Sequence, residues 1–142
     1  MNDQNEKWDY LLSLDEKYLQ GGVMLSEYCT YLIKNCDLSF VIDAHLSTII
    51  TAVAGIETFL RSESSEIKQS FQELINISNL DNESKENLHR LRKFRNKWVH
   101  VNEPWNDSEL LEFTEKVDKE LEEYSILAVN LLRKVSYSNP FI

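Results

Sequence analysis

The residues best suited to chemistry lie in one short run, Leu88 to Val101, reading LHRLRKFRNKWVHV. Arg90, Arg92, Lys93, Arg95 and Lys97 crowd it, and His89 and His100 stand near its ends. Carried back to Lys85, the run holds six of the chain's 15 Lys and Arg residues and one acid, Glu86. A cationic island on a chain of net charge −9 is a candidate anion site, because a local field attracts phosphate whatever the total charge. Within it, Arg95-Asn96-Lys97-Trp98-Val99-His100 sets an arginine and a histidine with four residues between them and an amide directly after the arginine. Histidine moves protons near neutral pH. Arginine offers phosphate oxygens a fixed fork of donors. Cutting RNA without a metal needs a base for the 2′-hydroxyl, an acid for the leaving oxygen and a cation beside the phosphorane. These residue types supply all three. Asn96 would hold a phosphate or orient His100, and Lys97, Arg92 and Lys93 would follow the RNA backbone.

Geometry limits this reading. In an unbroken helix, residues five apart point about 140° away from each other. Arg95 and His100 converge only if the helix loosens before His100 or if a second copy of the chain shares the site. Asn102 and Pro104 favour loosening, since the residue before proline avoids helical angles and proline cannot continue the ladder. The competing assignment is structural: Arg95 forms a salt bridge, and His100 complements the dipole at the helix C-terminus.

The elements that must position these residues are helical. With 142 residues, 42% hydrophobic and 27% charged, the chain fits one domain, 1–142, with a real core. Three Gly and two Pro leave few sharp turns, which favours a few long elements. The acidic balance argues against nonspecific binding along DNA or to anionic membranes, so any nucleic-acid contact is confined to a patch. Cys29 and Cys36, seven apart, would lie roughly 10 Å apart along one helix, too far for a disulfide. Buried free thiols in a reducing compartment follow. The polar start, MNDQNEKWDY, has no signal-peptide pattern, so the expected location is cytoplasmic.

Apolar spacing predicts helices over 3–19 and from Val23 to Asn35, the latter with Met24, Tyr28, Tyr31 and Leu32 facing inward. Residues 39–61 form the longest apolar stretch, with Leu46, Ile50, Val53 and Leu60 on a large-residue face. Ala44, Thr48, Thr51, Gly55 and Thr58 form a small-residue face. This is the central helix of a bundle, too interrupted to span a membrane. Glu57 falls on the large-residue stripe and needs a partner, for which the island around Arg95 is the expected source. A short helix over Ile67 to Ile77 follows, then the helix carrying the island, then a last helix from Asp107-Ser108 to about Val135. Leu110, Leu111, Phe113 and Val117 are expected to face inward on that last helix, and a tail from about 136 to be loose. His45 reads as a satisfied core histidine near Asp43, His89 as an exposed member of the basic face, and Trp98 as core. No His or Cys pair has metal-ligand spacing, so no metal and no cofactor are inferred. The expectation is an all-α, up-and-down bundle of about five to six helices.

RNKWVH, on the penultimate helix of a small all-α chain, resembles the R-x4-6-H motif of the HEPN superfamily. These are small helical domains, many of them metal-independent endoribonucleases of toxin–antitoxin and antiviral defence systems. The polar residue common after the motif arginine is matched by Asn96. The helix carrying Glu57 is similar to the family's earlier core helix, where an acid often supports the site. The resemblance implies a homodimer pairing through the motif-bearing helices around two arginines and two histidines. It implies Arg95, His100 and Asn96 as catalytic, Glu57 and Lys97 as supporting, and RNA with a possible antitoxin or regulatory protein as partners. In the branch paired with a nucleotidyltransferase antitoxin, a tyrosine stands two residues after the histidine. This chain has Asn102 there, which points to control by another partner. The alternative is a non-catalytic HEPN-like module that binds a nucleotide, RNA or protein.

Overall fold

Short polar side chains open several helices by accepting otherwise unpaired backbone N–H groups. Asp3 accepts from Glu6 N, Ser26 from Cys29 N and Ser70 from Glu73 N. The computed structural model describes residues 3–65 and 68–141. Over these the chain folds as an all-α helical bundle: α1 (Gln4–Tyr18), α2 (Glu27–Val41), α3 (His45–Ser62), α4 (Phe71–Ile77), α5 (Asn82–Val99), α6 (Ser108–Glu112) and α7 (Thr114–Ser136). The expected start of the short helix at Ile67 lies outside the described residues.

The central place of α3 follows from its apolar surface. It packs most extensively on α2 and α7 and also touches α4 and α5. The buried register differs from the expected one. Ile49, Ala52, Val53, Ile56, Phe59 and Leu60 are buried, whereas Ile50 reaches solvent. The large-residue stripe is therefore rotated by about one position. Gly55 keeps its small-residue role: a Cβ there would lie 2.9 Å from Leu132 Cδ1 and 3.6 Å from Leu32 Cβ, so its absence lets α7 and α2 close in.

α2 corrects a second expectation. Its inner face is Cys29, Cys36, Phe40 and Val41, while Met24, Tyr28 and Tyr31 lie exposed. Both thiols are free and buried, and burial raises their pKa values, that of Cys36 to about 12. The turn from α2 to α3 closes with Asp43 N–H donating to Phe40 C=O (3.2 Å) and Ala44 N–H to Ser39 C=O (2.9 Å). That is a Schellman ending, with Asp43 at φ 63° in the left-handed position usually given to glycine. An aspartate is there because its carboxylate pairs with Lys7 Nζ, whose side chain α1 otherwise buries. His45, beside it, is satisfied as expected: Ser125 Oγ, which donates to Glu122 C=O, meets His45 Nδ1 at 3.2 Å.

A larger ion cluster ties three helices. Arg133 of α7, 2% exposed, donates twice to Asp37 of α2 (2.9 and 2.8 Å) and through Nε to Asp15 of α1 (2.9 Å). Tyr137 OH donates to the same Asp15 oxygen at 3.0 Å. The tail expected to be loose carries this tyrosine, a bond from Asn139 Nδ2 to Glu63 Oε2 (3.1 Å), and one from Phe141 N–H to Gly22 C=O (2.9 Å).

The expected last helix is two. Phe113 breaks it at φ −120°, ψ 45°, where the Thr114 hydroxyl donates to the carbonyls of Leu110 (2.9 Å) and Leu111 (3.3 Å) in place of a backbone bond. Leu110, Leu111 and Phe113 consequently face solvent instead of the core. Among the described residues, no helix is long and apolar enough to cross a membrane.

Candidate active site

The island rides on α5, which leans on α3, α4 and α7 through Leu88, Leu91 and Phe94. Phe94 stacks on Tyr124 of α7, with ring centroids 3.8 Å apart and planes within 6°. Arg90 lies over the same tyrosine at 5.8 Å, and Lys97 over Phe94 at 5.9 Å. These contacts fix how α5 is rotated and so decide where its cations point.

The helix does not loosen before His100, so the convergence of Arg95 and His100 expected within one chain is not seen. Val99 is its last residue and His100 its C-cap, at φ −121° and ψ 65°, its N–H still donating to Asn96 C=O (2.9 Å). The ring of His100 is exposed and makes no hydrogen bond or ion pair among the described residues. Arg95 is half-buried, on the side of α5 that continues Leu88 and Leu91, and its Nε–H donates to Asn96 Oδ1 at 2.8 Å. Asn96 sits between Arg95 and His100 around the helix, so this bond draws the guanidinium toward the histidine side. No bond joins Arg95 to His100 within one chain. The chain brings together Arg95 and Asn96 and leaves His100 presented beside them.

The remaining expected residues divide. His89, Lys93, Asn96 and His100 follow one another at spacings of four, three and four, so they form one polar stripe along α5. Arg92 borders it. A shallow depression of about 460 Å³ beside the stripe is lined by His89, Arg90, Arg92 and Lys93 with Asn76 and Glu86. His89 is half-buried rather than exposed, its Nε2 2.8 Å from Asn76 Oδ1. Desolvation first, then the charges of Arg92 and Lys93, hold its pKa below the ordinary histidine value. The Nε of Arg92 and Nδ1 of His89 are covered and have no hydrogen-bond partner among the described residues.

Lys97 points the other way, 4.0 Å from Glu120 of α7, at the edge of a groove of about 300 Å³ between the end of α5 and α6–α7. Trp98, Val101, Pro104 and Lys116 also line this groove. Trp98 is half-buried against the core, as expected.

Glu57 is the correction. Its partner is Arg61, one turn on in its own helix (2.6 Å), not the island. Both side chains are about one-third exposed, so the carboxylate never needed a cation from α5. Val101 and Trp105 stand exposed in the loop that follows His100, Trp105 at 93%, an apolar surface whose extent the sequence did not show. Its signal was Trp105 next to Pro104, a large apolar residue in a loop too short to bury it. Among the described residues no cluster of His, Cys, Asp and Glu could hold a metal ion.

Compared with protein-family models, with curated proteins and with solved structures, the chain matches none.

Proposed function

We propose that the chain is a HEPN-like, metal-independent endoribonuclease of a bacterial toxin–antitoxin or antiviral defence system, cutting RNA at a cleft shared by two copies. The observation that carries this reading is the end of α5: an arginine drawn by Asn96 toward the side of an exposed, unpaired histidine, on a helix rich in Arg and Lys. One copy alone points Arg95 and His100 to different sides of the helix. A two-fold axis beside the helix end would set His100 of each copy near Arg95 of the other, with exposed Val101 and Trp105 of the following loop as apolar surface to bury.

In this arrangement one His100 takes the 2′-hydroxyl proton as that oxygen attacks phosphorus. The other delivers a proton to the departing 5′-oxygen, leaving a 2′,3′-cyclic phosphate. The two Arg95 guanidinium groups hold the phosphorane oxygens and Asn96 fixes their direction. Arg92 and Lys93 contact flanking phosphates from the depression beside the stripe. Lys97, facing Glu120, acts at the margin, and Glu57 has no part in the chemistry.

The test is incubation of purified protein with a pool of cellular RNAs in EDTA, with cut sites mapped. His100→Ala and Arg95→Ala should each lower cleavage by at least about 100-fold while helical content and melting stay unchanged. Cleavage undiminished in both variants overturns the assignment. The groove at Trp98 favours a second reading, a module that binds an RNA end or a partner without cutting. That reading expects binding in EDTA with no new RNA ends.

A further inference from the structure

α2 carries two apolar stripes, and the core uses one. The inner stripe is Cys29, Ile33, Cys36 and Phe40. On the opposite side, roughly 150° around the helix, run Tyr28, Tyr31, Asn35, Leu38 and the C-cap Ile42. Their spacings are three, four, three and four, the repeat of a two-stranded helical seam. Every apolar member is open to solvent: Tyr28 82%, Tyr31 63%, Leu38 46% and Ile42 64%. Met24, just before the helix, is exposed as well. Helical periodicity therefore continues onto a face left open to solvent by the described residues.

We infer that this outer face of α2 is a self-association surface, on which the α2 helix of a second copy lies side by side about a two-fold axis. Three observations select a second copy as the occupant. The spacing is self-complementary, since a three–four repeat packs knobs into the holes of the same repeat. The charge pattern permits it: copies of a chain with net charge −9 repel on average, yet of the charged residues of α2 itself only one acid, Glu27, and one base, Lys34, are not taken up by the ion cluster with Arg133. The neighbouring Asp37 is consumed by Arg133, and Asp43 by Lys7. The area also suffices. Met24 and the four stripe residues expose on the order of 650 Å² per copy, so a pair removes about 1,300 Å², within the range of specific interfaces. One cationic side chain is too few to recommend an anionic membrane as the occupant. Asn35, the single polar member, now donates to Tyr31 C=O at 2.9 Å and keeps its amide oxygen for a partner across the seam, where one such residue restricts register.

The face is separate from the proposed nuclease cleft. α2 contacts α1, α3 and α7, and none of α5 among the described residues. Pairing through α2 thus leaves the end of each α5 open. With pairing at α5 as well, the chain would form a closed tetramer or a longer even-numbered assembly.

The test is mass by sedimentation and native mass spectrometry on the full chain at roughly 50 μM, well above a dissociation constant of about 1 μM. Wild type is expected as a dimer or an even multiple. Tyr31→Glu and Leu38→Glu place a charge in the seam at exposed positions, so the folded chain tolerates them. Each should halve the mass or raise the dissociation constant at least about 100-fold, with helical content unchanged. His100→Ala, inactive on the nuclease reading, should keep the wild-type mass, so the two readings fail separately. A monomeric wild type, or seam variants of wild-type mass, overturns the inference.

Discussion

Arg133→Ala is the sharpest probe of what holds the bundle. The guanidinium makes three hydrogen bonds, two to Asp37 and one to Asp15, and so joins α7 to α2 and α1. Its removal leaves Asp37, whose side chain is 14% exposed, without its cation. Breaking one side of a buried pair costs about 3–5 kcal/mol, against a total stability of roughly 5–15 kcal/mol for an ordinary domain. At about 3 °C per kcal/mol for a chain of this length, the melting temperature should fall by roughly 10–15 °C. The pH dependence gives an independent sign. Desolvation already raises the Asp37 pKa with Arg133 present, and the variant loses the attraction that opposes it. A carboxyl raised in the folded state is most favourable below its ordinary pKa and loses that advantage as pH rises. The deficit of Arg133→Ala should therefore shrink as pH is lowered toward 4. Arg133→Met with Asp37→Leu, which removes both charges of that pair and replaces them with apolar atoms, should recover part of the loss, Asp15 still lacking its cation. Urea unfolding at several pH values measures all three. A loss below about 1 kcal/mol for Arg133→Ala, or a deficit that grows on acidification, refutes the reasoning.

Asp43 serves two ends at once, and Asp43→Gly separates them. Glycine relieves about 1 kcal/mol of left-handed backbone cost but strands the buried Lys7, so a net loss of about 2 kcal/mol or more is expected in urea; a gain would show that the pair contributes nothing. His89 should make stability fall on acidification. Its depressed pKa means the unfolded chain takes up the proton first, so stability is full above the ordinary histidine pKa and declines as pH drops through and below it. The slope between pH 7 and 5 should flatten in His89→Gln, and an unchanged slope assigns it elsewhere. Burial and the Cys36 pKa near 12 should keep both thiols from alkylation at pH 8 until denaturant is added, and stoichiometric labelling of native protein would contradict the burial.

The sequence was legible where one stripe is apolar and the other polar. α1 was read over 3–19 and runs from Gln4 to Tyr18, and the end of the island helix was placed by Asn102 and Pro104 within a few residues of Val99. α2 was misread for a physical reason. It has two apolar stripes at helical spacing, and periodicity says that a stripe exists, not which one the fold covers. The aromatic stripe looked like core; the smaller cysteines and Phe40 were chosen because α3 comes close at Gly55 and Thr48. The break at Phe113 gave no signal because neither Gly nor Pro marks it. Arg133 did give one that went unread: a cation at a core position inside Leu131-Leu132-Arg133-Lys134-Val135 requires buried acids, and Asp15 and Asp37 follow inward residues on α1 and α2. At the site, the spacing of Arg95 and His100 was legible. Their relation to Asn96, and the pairing of Glu57 with Arg61, depend on rotamers and on which way α3 turns, which composition does not encode.

The charge layout connects the proposed site to its control. Two copies meeting at the ends of α5 bring Arg92, Lys93 and Arg95 of each into one cleft, and like charges at such distances oppose association unless something neutralises them. On the proposed reading an RNA phosphate would do so, and would bind the joined cleft better than either half. By linkage, whatever prefers the joined state draws copies into it, and the joined state in turn holds RNA more tightly. The acids supply the converse. Glu103, Glu109 and Glu120 line the groove at the end of α5 beside Lys97, and Glu120 lies 4.0 Å from the Lys97 ammonium. On the proposed reading those acids would repel stray polyanions and could offer a basic protein a place to dock beside the cleft. On this account a chain with excess negative charge suits a nuclease that must stay idle among abundant RNA, because the field that weakens general binding leaves one short cationic stripe as the point of entry.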